Sequence, residues 1–248
     1  MTELHPDLVD TPPFETQDLR ARLAEFLSRP FHVQPDGVGR PVGGFICGVY
    51  AFFDYDGEPI YVGQTKERLA TRIRRHLTNQ RTDAVAMSVL DPFEVLDVEV
   101  WPLPQLERPG VSLAELKSSL DSLEFSVFEH AIAASRFKAI LNEKDPPNAA
   151  LVALPNSCRG RIVSPAIYKL RAHPDVRMAR RAQVLARLAQ VISERKVQPG
   201  LRRVFLTQTQ RLEWLASRRH VALQTLVSME DDELDAVAGE IQATLPGL

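Results

Sequence analysis

Cysteine is scarce in this chain of 248 residues: Cys47 and Cys158 are the only two, and they form neither a CxxC pair nor a zinc-spaced group. A disulfide framework is thereby excluded, and a reducing, cytoplasmic setting is the expectation. Long apolar runs are missing too. The most apolar stretch, 42–53, is about twelve residues long and carries three glycines, against the roughly 20 apolar residues a membrane span needs. The first 15 residues are acidic and proline-marked rather than basic and apolar, so no export signal is read there. There is no internal repeat and no low-complexity tract. With 44% hydrophobic and 25% charged residues the chain can bury a core, which excludes disorder as a description of the whole.

Net charge is low as well, −2, but its distribution is uneven. Residues 158–219 hold 15 of the 30 lysines and arginines against three acids, whereas residues 220–248 hold six acids and no base. A basic block in an otherwise acidic chain attracts polyanions, nucleic acid among them; the plainer reading is a solvated basic helix surface, or one packed on the acidic remainder of the chain.

Residues 1–43 read as an acidic tail, a short helix over 17–27 and a Gly/Pro loop. The aromatic, β-branched run 45–53, the turn 54–58 and the run 59–64 read as a hairpin, followed by a helix over 66–79 and a third strand over 93–102. Ser112-Leu-Ala-Glu115 is a capping box opening a helix that extends to about residue 140. Proline-rich segments at 145–148 and 155–157 mark a linker, and beyond it every pattern is helical: Ser164-Pro165 starts one helix, 176–196 and 201–219 form two more, and Ser228 with Asp231 caps an acidic last one. The expected fold is α+β, a small antiparallel three-stranded sheet flanked by helices over 44–150, followed by an all-helical, largely basic domain over 158–248.

One constellation carries chemistry. Gly48-Val49-Tyr50 lies on the first strand of the hairpin and Tyr61-Val62-Gly63 on the second. Alternate residues of a strand share a face, so the two phenols meet on one side of the sheet beside glycines that leave bare backbone. On the next helix Arg72 and His76 stand four residues apart, on one side, with Arg68 and Arg75 close by. Phenol and imidazole exchange protons and a guanidinium grips phosphate oxygens. Glu129, between Phe125 and Ile132 on the following helix, supplies a carboxylate for a hard cation; Glu124, between Leu120 and Phe128, competes for the role. Taken singly, Tyr50 and Tyr61 also fit core aromatics, and Arg72 and His76 a solvated helix face.

In order and spacing this series resembles the GIY-YIG nuclease superfamily over about 44–142. The resemblance implies hydrolysis of DNA phosphodiester bonds with one Mg²⁺ or Mn²⁺ ion. On it, Tyr50, Tyr61, Arg72, His76 and Glu129 are the catalytic set, Glu129 holds the metal, Gly48 and Gly63 are the motif glycines, and Asn142 is a structural brace. The Arg72/His76 pair leans toward the restriction or host-defence branch; a structure-specific or repair nickase and a non-cleaving nucleic-acid-binding module are the competing readings. Duplex DNA is the expected partner, with the chain at the nucleoid when bound, and a homodimer would serve double-strand cutting. Arg68, Arg75, Arg177, Arg180, Arg181 and Arg187 are the expected backbone contacts.

Overall fold

Gly48–Phe53 and Pro59–Thr65 form the expected hairpin, in register Tyr50↔Gly63 and Phe52↔Tyr61. The computed structural model describes residues 13–32, 39–78 and 90–227. The acidic amino-terminal residues 1–12 and the last acidic helix expected from residue 228 lie outside them. In chain order the strands are β1 (Pro30–Phe31), β2 (Arg40–Pro41), β3 (Gly48–Phe53), β4 (Pro59–Thr65), β5 (Asp97–Pro102) and β6 (Cys158–Arg161). The helices are α1 (Phe14–Ser28), α2 (Leu69–Leu77), α3 (Leu113–Ala134), α4 (Pro165–Arg171), α5 (Pro174–Glu194) and α6 (Pro199–Val227).

The main sheet is antiparallel with order β4-β3-β5-β6, so it has four strands rather than three. The added strand, Cys-Arg-Gly-Arg, has no apolar alternation that would announce it. It is recruited by its partner: Arg159 stands opposite Glu99 and bonds Asp97, and Arg161 stands opposite Asp97. The region past the linker is therefore not all helical.

Strand alternation divides the core in two. Tyr50, Phe52, Val98 and Val100 face α1, α2, α5 and α6, burying Leu23, Phe26, Leu69, Ile73, Leu188 and Val204. Val49, Ala51, Val62 and Trp101 face α3 through Leu120, Leu123, Val127 and Phe128. The side chain of Ser112 caps α3 as the capping box predicts, accepting from the Glu115 N–H at 3.1 Å. Helix α3 stops at Ala134, short of the expected 140, because the buried carboxylate of Glu58 takes the Ser135 hydroxyl at 2.9 Å and the Arg136 N–H at 3.1 Å. From there the chain runs beside β4: Leu141 N–H donates to the Ile60 carbonyl at 3.0 Å.

The arginines of α5 need a correction. Arg177 and Arg181 are buried, not offered to nucleic acid. Arg177 holds Asp56 at 2.9 Å; Arg181 reaches Asp54 at 2.9 Å and Glu94 at 3.1 Å; Arg211 of α6 also binds Asp54. Arg180 pairs with Glu15 at 3.4 Å and Asp91 at 3.6 Å. These cations complement the acidic turn of the β3–β4 hairpin and the approach to β5. The positive charge counted along the sequence is thus partly cancelled across the packed helices. Arg187 remains exposed.

Candidate active site

Edge strand β4 positions the site. The two hydrogen-bonding groups of Val62 that face outward are taken by one side chain: Asn142 Oδ1 accepts the Val62 N–H at 3.0 Å, and its Nδ2 donates to the Val62 carbonyl at 2.7 Å. This brace keeps β4 from fraying and fixes Tyr61 and Gly63 on either side of it.

On the α2 side of the sheet the rings of Tyr50 and Tyr61 lie 6.1 Å apart. The imidazole of His76 sits 5.1 Å from the ring of Tyr61 and 5.7 Å from that of Tyr50. Arg72, one turn earlier on α2, donates from Nε to the Tyr50 hydroxyl at 3.3 Å. Tyr50 is completely buried and Tyr61 only half-buried. Burial, and then the neighbouring Tyr61, push the Tyr50 phenol far above its ordinary value despite the opposing Arg72 charge. Its hydroxyl accepts the Arg72 bond and so helps to hold the guanidinium in place.

Both motif glycines sit where a side chain has no room. A Cβ on Gly63 would fall 2.8 Å from the Tyr50 hydroxyl and 2.8 Å from the Tyr61 ring, and one on Gly48 would fall 2.6 Å from the Trp101 carbonyl. Gly63→Ala is expected to force the phenols apart, costing roughly 1–3 kcal/mol of stability as an overpacking substitution does. Urea unfolding checks this, and an unchanged midpoint would show that the rings move aside freely.

The carboxylates fall differently from the expectation. Glu129 is exposed, and its neighbours Phe125 and Ile132 are only half-buried. The buried stripe of α3 runs through Leu120, Leu123, Val127 and Ala131. Glu124, five residues before Glu129 and so roughly 140° away around the helix, turns toward the edge of β4, where it accepts from Gln64 Nε2 at 2.9 Å. Asp121, one turn earlier, accepts from the same nitrogen at 2.7 Å. Burial raises the Glu124 carboxyl above its ordinary value, and Arg72 is near enough to offset part of that. The carboxylate that the structure turns toward the β4 edge is therefore Glu124, whereas Glu129 is exposed on another side of the helix. The neighbours of Glu124, Leu120 and Phe128, are the ones that the packing buries. Gln64 was missed altogether; alternation puts it on the α3 face, between the two carboxylates, where nothing in its residue type marks it out.

At the end of β4 an open cleft of about 310 Å³ is lined by Gln64, Thr65, Lys66, Glu67 and Arg72. Arg68 is exposed beside it, and Arg75 is held by Glu67 at 2.7 Å. The cleft brings cationic donors and oxygen acceptors to one mouth, a combination suited to a phosphate group and a hard cation. The Gln64 Oε1 atom is buried without a hydrogen-bond partner beside Glu124 and Asp121. Among the described residues no three His, Cys, Asp or Glu side chains gather as a complete metal cage.

No curated protein and no solved structure matches the chain. No described helix is long and apolar enough to cross a membrane. Residues 46–104, which run from the approach to β3 through β4 and α2 to just past β5, match the family model of the GIY-YIG catalytic domain. The hairpin with its two phenols and the helix with its arginine thus lie in the segment that matches the GIY-YIG catalytic domain, the unit that carries endonuclease activity in that family.

Proposed function

We propose that the protein is a divalent-metal-dependent DNA endonuclease whose cation is held by Glu124, with Gln64 Oε1 as a further oxygen ligand. The observation that carries this reading is that Arg72, bonded to Tyr50, and Gln64, bonded to Glu124, line one cleft at the end of β4. Nucleases of this family generally depend on a divalent metal, which when bound polarises the phosphate and neutralises developing charge.

The chain's own groups supply the rest. Arg72 commits one donor to Tyr50 and keeps the others for the phosphate oxygens at the cleft. Tyr61, half-buried, hydrogen-bonds the scissile phosphate or the attacking water. His76, beside both rings, is placed to exchange a proton with the Tyr61 hydroxyl. Tyr50 acts through Arg72, as its positioning partner. The Arg72/His76 pair supports a role in restriction or host defence over excision repair. One such site cuts one strand, so double-strand cutting requires a second copy or a second visit.

Cleavage of supercoiled plasmid with Mg²⁺ or Mn²⁺ tests the reading. The natural chain is expected to nick or linearise it, Glu124→Gln to lose at least about 100-fold in rate, as loss of a preorganised charge at a transition state does, and Glu129→Gln to stay close to the natural rate. Loss in Glu129→Gln with activity kept in Glu124→Gln would reverse the ligand assignment. A natural chain that cuts no DNA with either metal would favour the binding-module reading.

A further inference from the structure

We propose that the surface around Trp214, near the Glu58 end of β4, is a second contact for duplex DNA, gripping the phosphate backbone of the strand beyond the cleft. The inference rests on the nuclease reading for its substrate. It stands on the arrangement of three side chains from two elements.

Trp214, half-buried on α6, has the guanidinium carbon of Arg136 at 4.5 Å from its ring centre and that of Arg218 at 4.7 Å, with Phe137 edge-on at 6.1 Å. Both guanidinium groups thus rest against one indole, a cation–π arrangement that fixes each of them. Neighbouring arginines of α6 are neutralised: Arg203 by Asp145, Arg211 by Asp54, Arg219 by Asp175. Arg218 has no carboxylate partner among the described residues. Arg136 is 56% exposed and meets Glu58 only at 3.7 Å. A guanidinium laid on an aromatic ring keeps its N–H edge outward and has already lost much of its rotamer freedom, so little further ordering is required when it takes a phosphate.

The patch is also in line with the site. Arg136 is pinned by its backbone N–H to Glu58, just before β4, and the chain then follows β4 as far as Asn142 on Val62. From Glu58 to Gln64 the strand spans about 20 Å. At roughly 3.4 Å per nucleotide along one strand of DNA, a backbone phosphate in the cleft and one at Arg136 would be about six nucleotides apart.

Binding of fluorescein-labelled duplexes in EDTA, across a salt series, tests this without requiring cleavage. Arg136→Ala/Arg218→Ala is expected to lower the slope of log affinity against log salt by about two, near 0.9 for each phosphate no longer neutralised. The difference between natural chain and variant should vanish on a duplex ending fewer than about six base pairs beyond the scissile phosphate on that side. Trp214→Leu, which leaves both charges but removes their platform, is expected to weaken binding in the same direction. Since Trp101 is buried, Trp214 emission should change on DNA binding. An unchanged slope in the double variant, with an unchanged melting midpoint, would overturn the proposal, and so would a natural chain that binds no duplex. Salt-dependent binding through the patch by a chain that cuts DNA with neither Mg²⁺ nor Mn²⁺ would sink the nuclease reading and leave the patch standing.

Discussion

Replacing Asp54 with alanine is expected to lower the free energy of unfolding by about 4 kcal/mol, the cost of leaving buried charges without their partner. Asp54 is 1% exposed. One of its oxygens receives the Asp56 and Glu58 N–H groups at 2.8 and 3.0 Å, and the other faces Arg181 at 2.9 Å, Arg177 at 3.7 Å and Arg211. Without it three guanidinium groups in a dry interior share only Asp56 and Glu94. Burial raises the Glu94 carboxyl above its ordinary value, so Glu94 is a reluctant substitute. The loss should register in two places: α5 and α6 would separate from the sheet, and the hairpin turn that carries β3 into β4 would loosen. Chemical denaturation monitored by far-ultraviolet circular dichroism gives the number. A loss below about 1 kcal/mol would mean that water enters the cluster and solvates the arginines.

Arg72→Ala is expected to reduce the rate of strand cleavage on bound DNA by about 10²–10³-fold, the range for removing one preorganised donor at developing charge. Its melting midpoint should stay near that of the natural chain, because Arg72 is only part-buried and the one described hydrogen bond of its side chain, to Tyr50, is long at 3.3 Å. Arg72→Lys keeps the charge but loses the planar fork and the Nε donor to Tyr50, so its rate should remain closer to that of alanine than to that of arginine. Single-turnover cleavage with protein in excess separates this effect from binding. If Arg72→Ala cuts within about threefold of the natural rate, the guanidinium does not face the reacting phosphate, and its bond to Tyr50 is a packing detail.

Legibility from sequence followed the range of the interaction. Tyr50, Tyr61, Gly48 and Gly63 could be placed on one sheet face because strand alternation is local, and Arg72 with His76 because helix spacing is local. Asn142 as a brace came only from the family resemblance, since nothing near it in sequence says that it will meet Val62, 80 residues away. Helix phase alone does not separate Glu129 from Glu124. Both have apolar neighbours in sequence, and only the packing of α3 on β3 and β4 says which stripe is buried.

The arginine-rich segment gives the same lesson from the other side. Counting charges along 158–219 found a polyanion-binding block, yet Arg177 and Arg181 neutralise Asp54, Asp56 and Glu94, more than 80 residues distant. By itself the sequence determined the hairpin, its paired phenols, the arginine helix and hence the kind of reaction, because each depends on spacings of two to four residues. Only the tertiary structure decided which carboxylate lies at the β4 edge, which arginines are buried in ion pairs, and that 158–161 completes the sheet. Those outcomes are set by burial and by charge pairing between segments far apart in the chain, and no local periodicity encodes either.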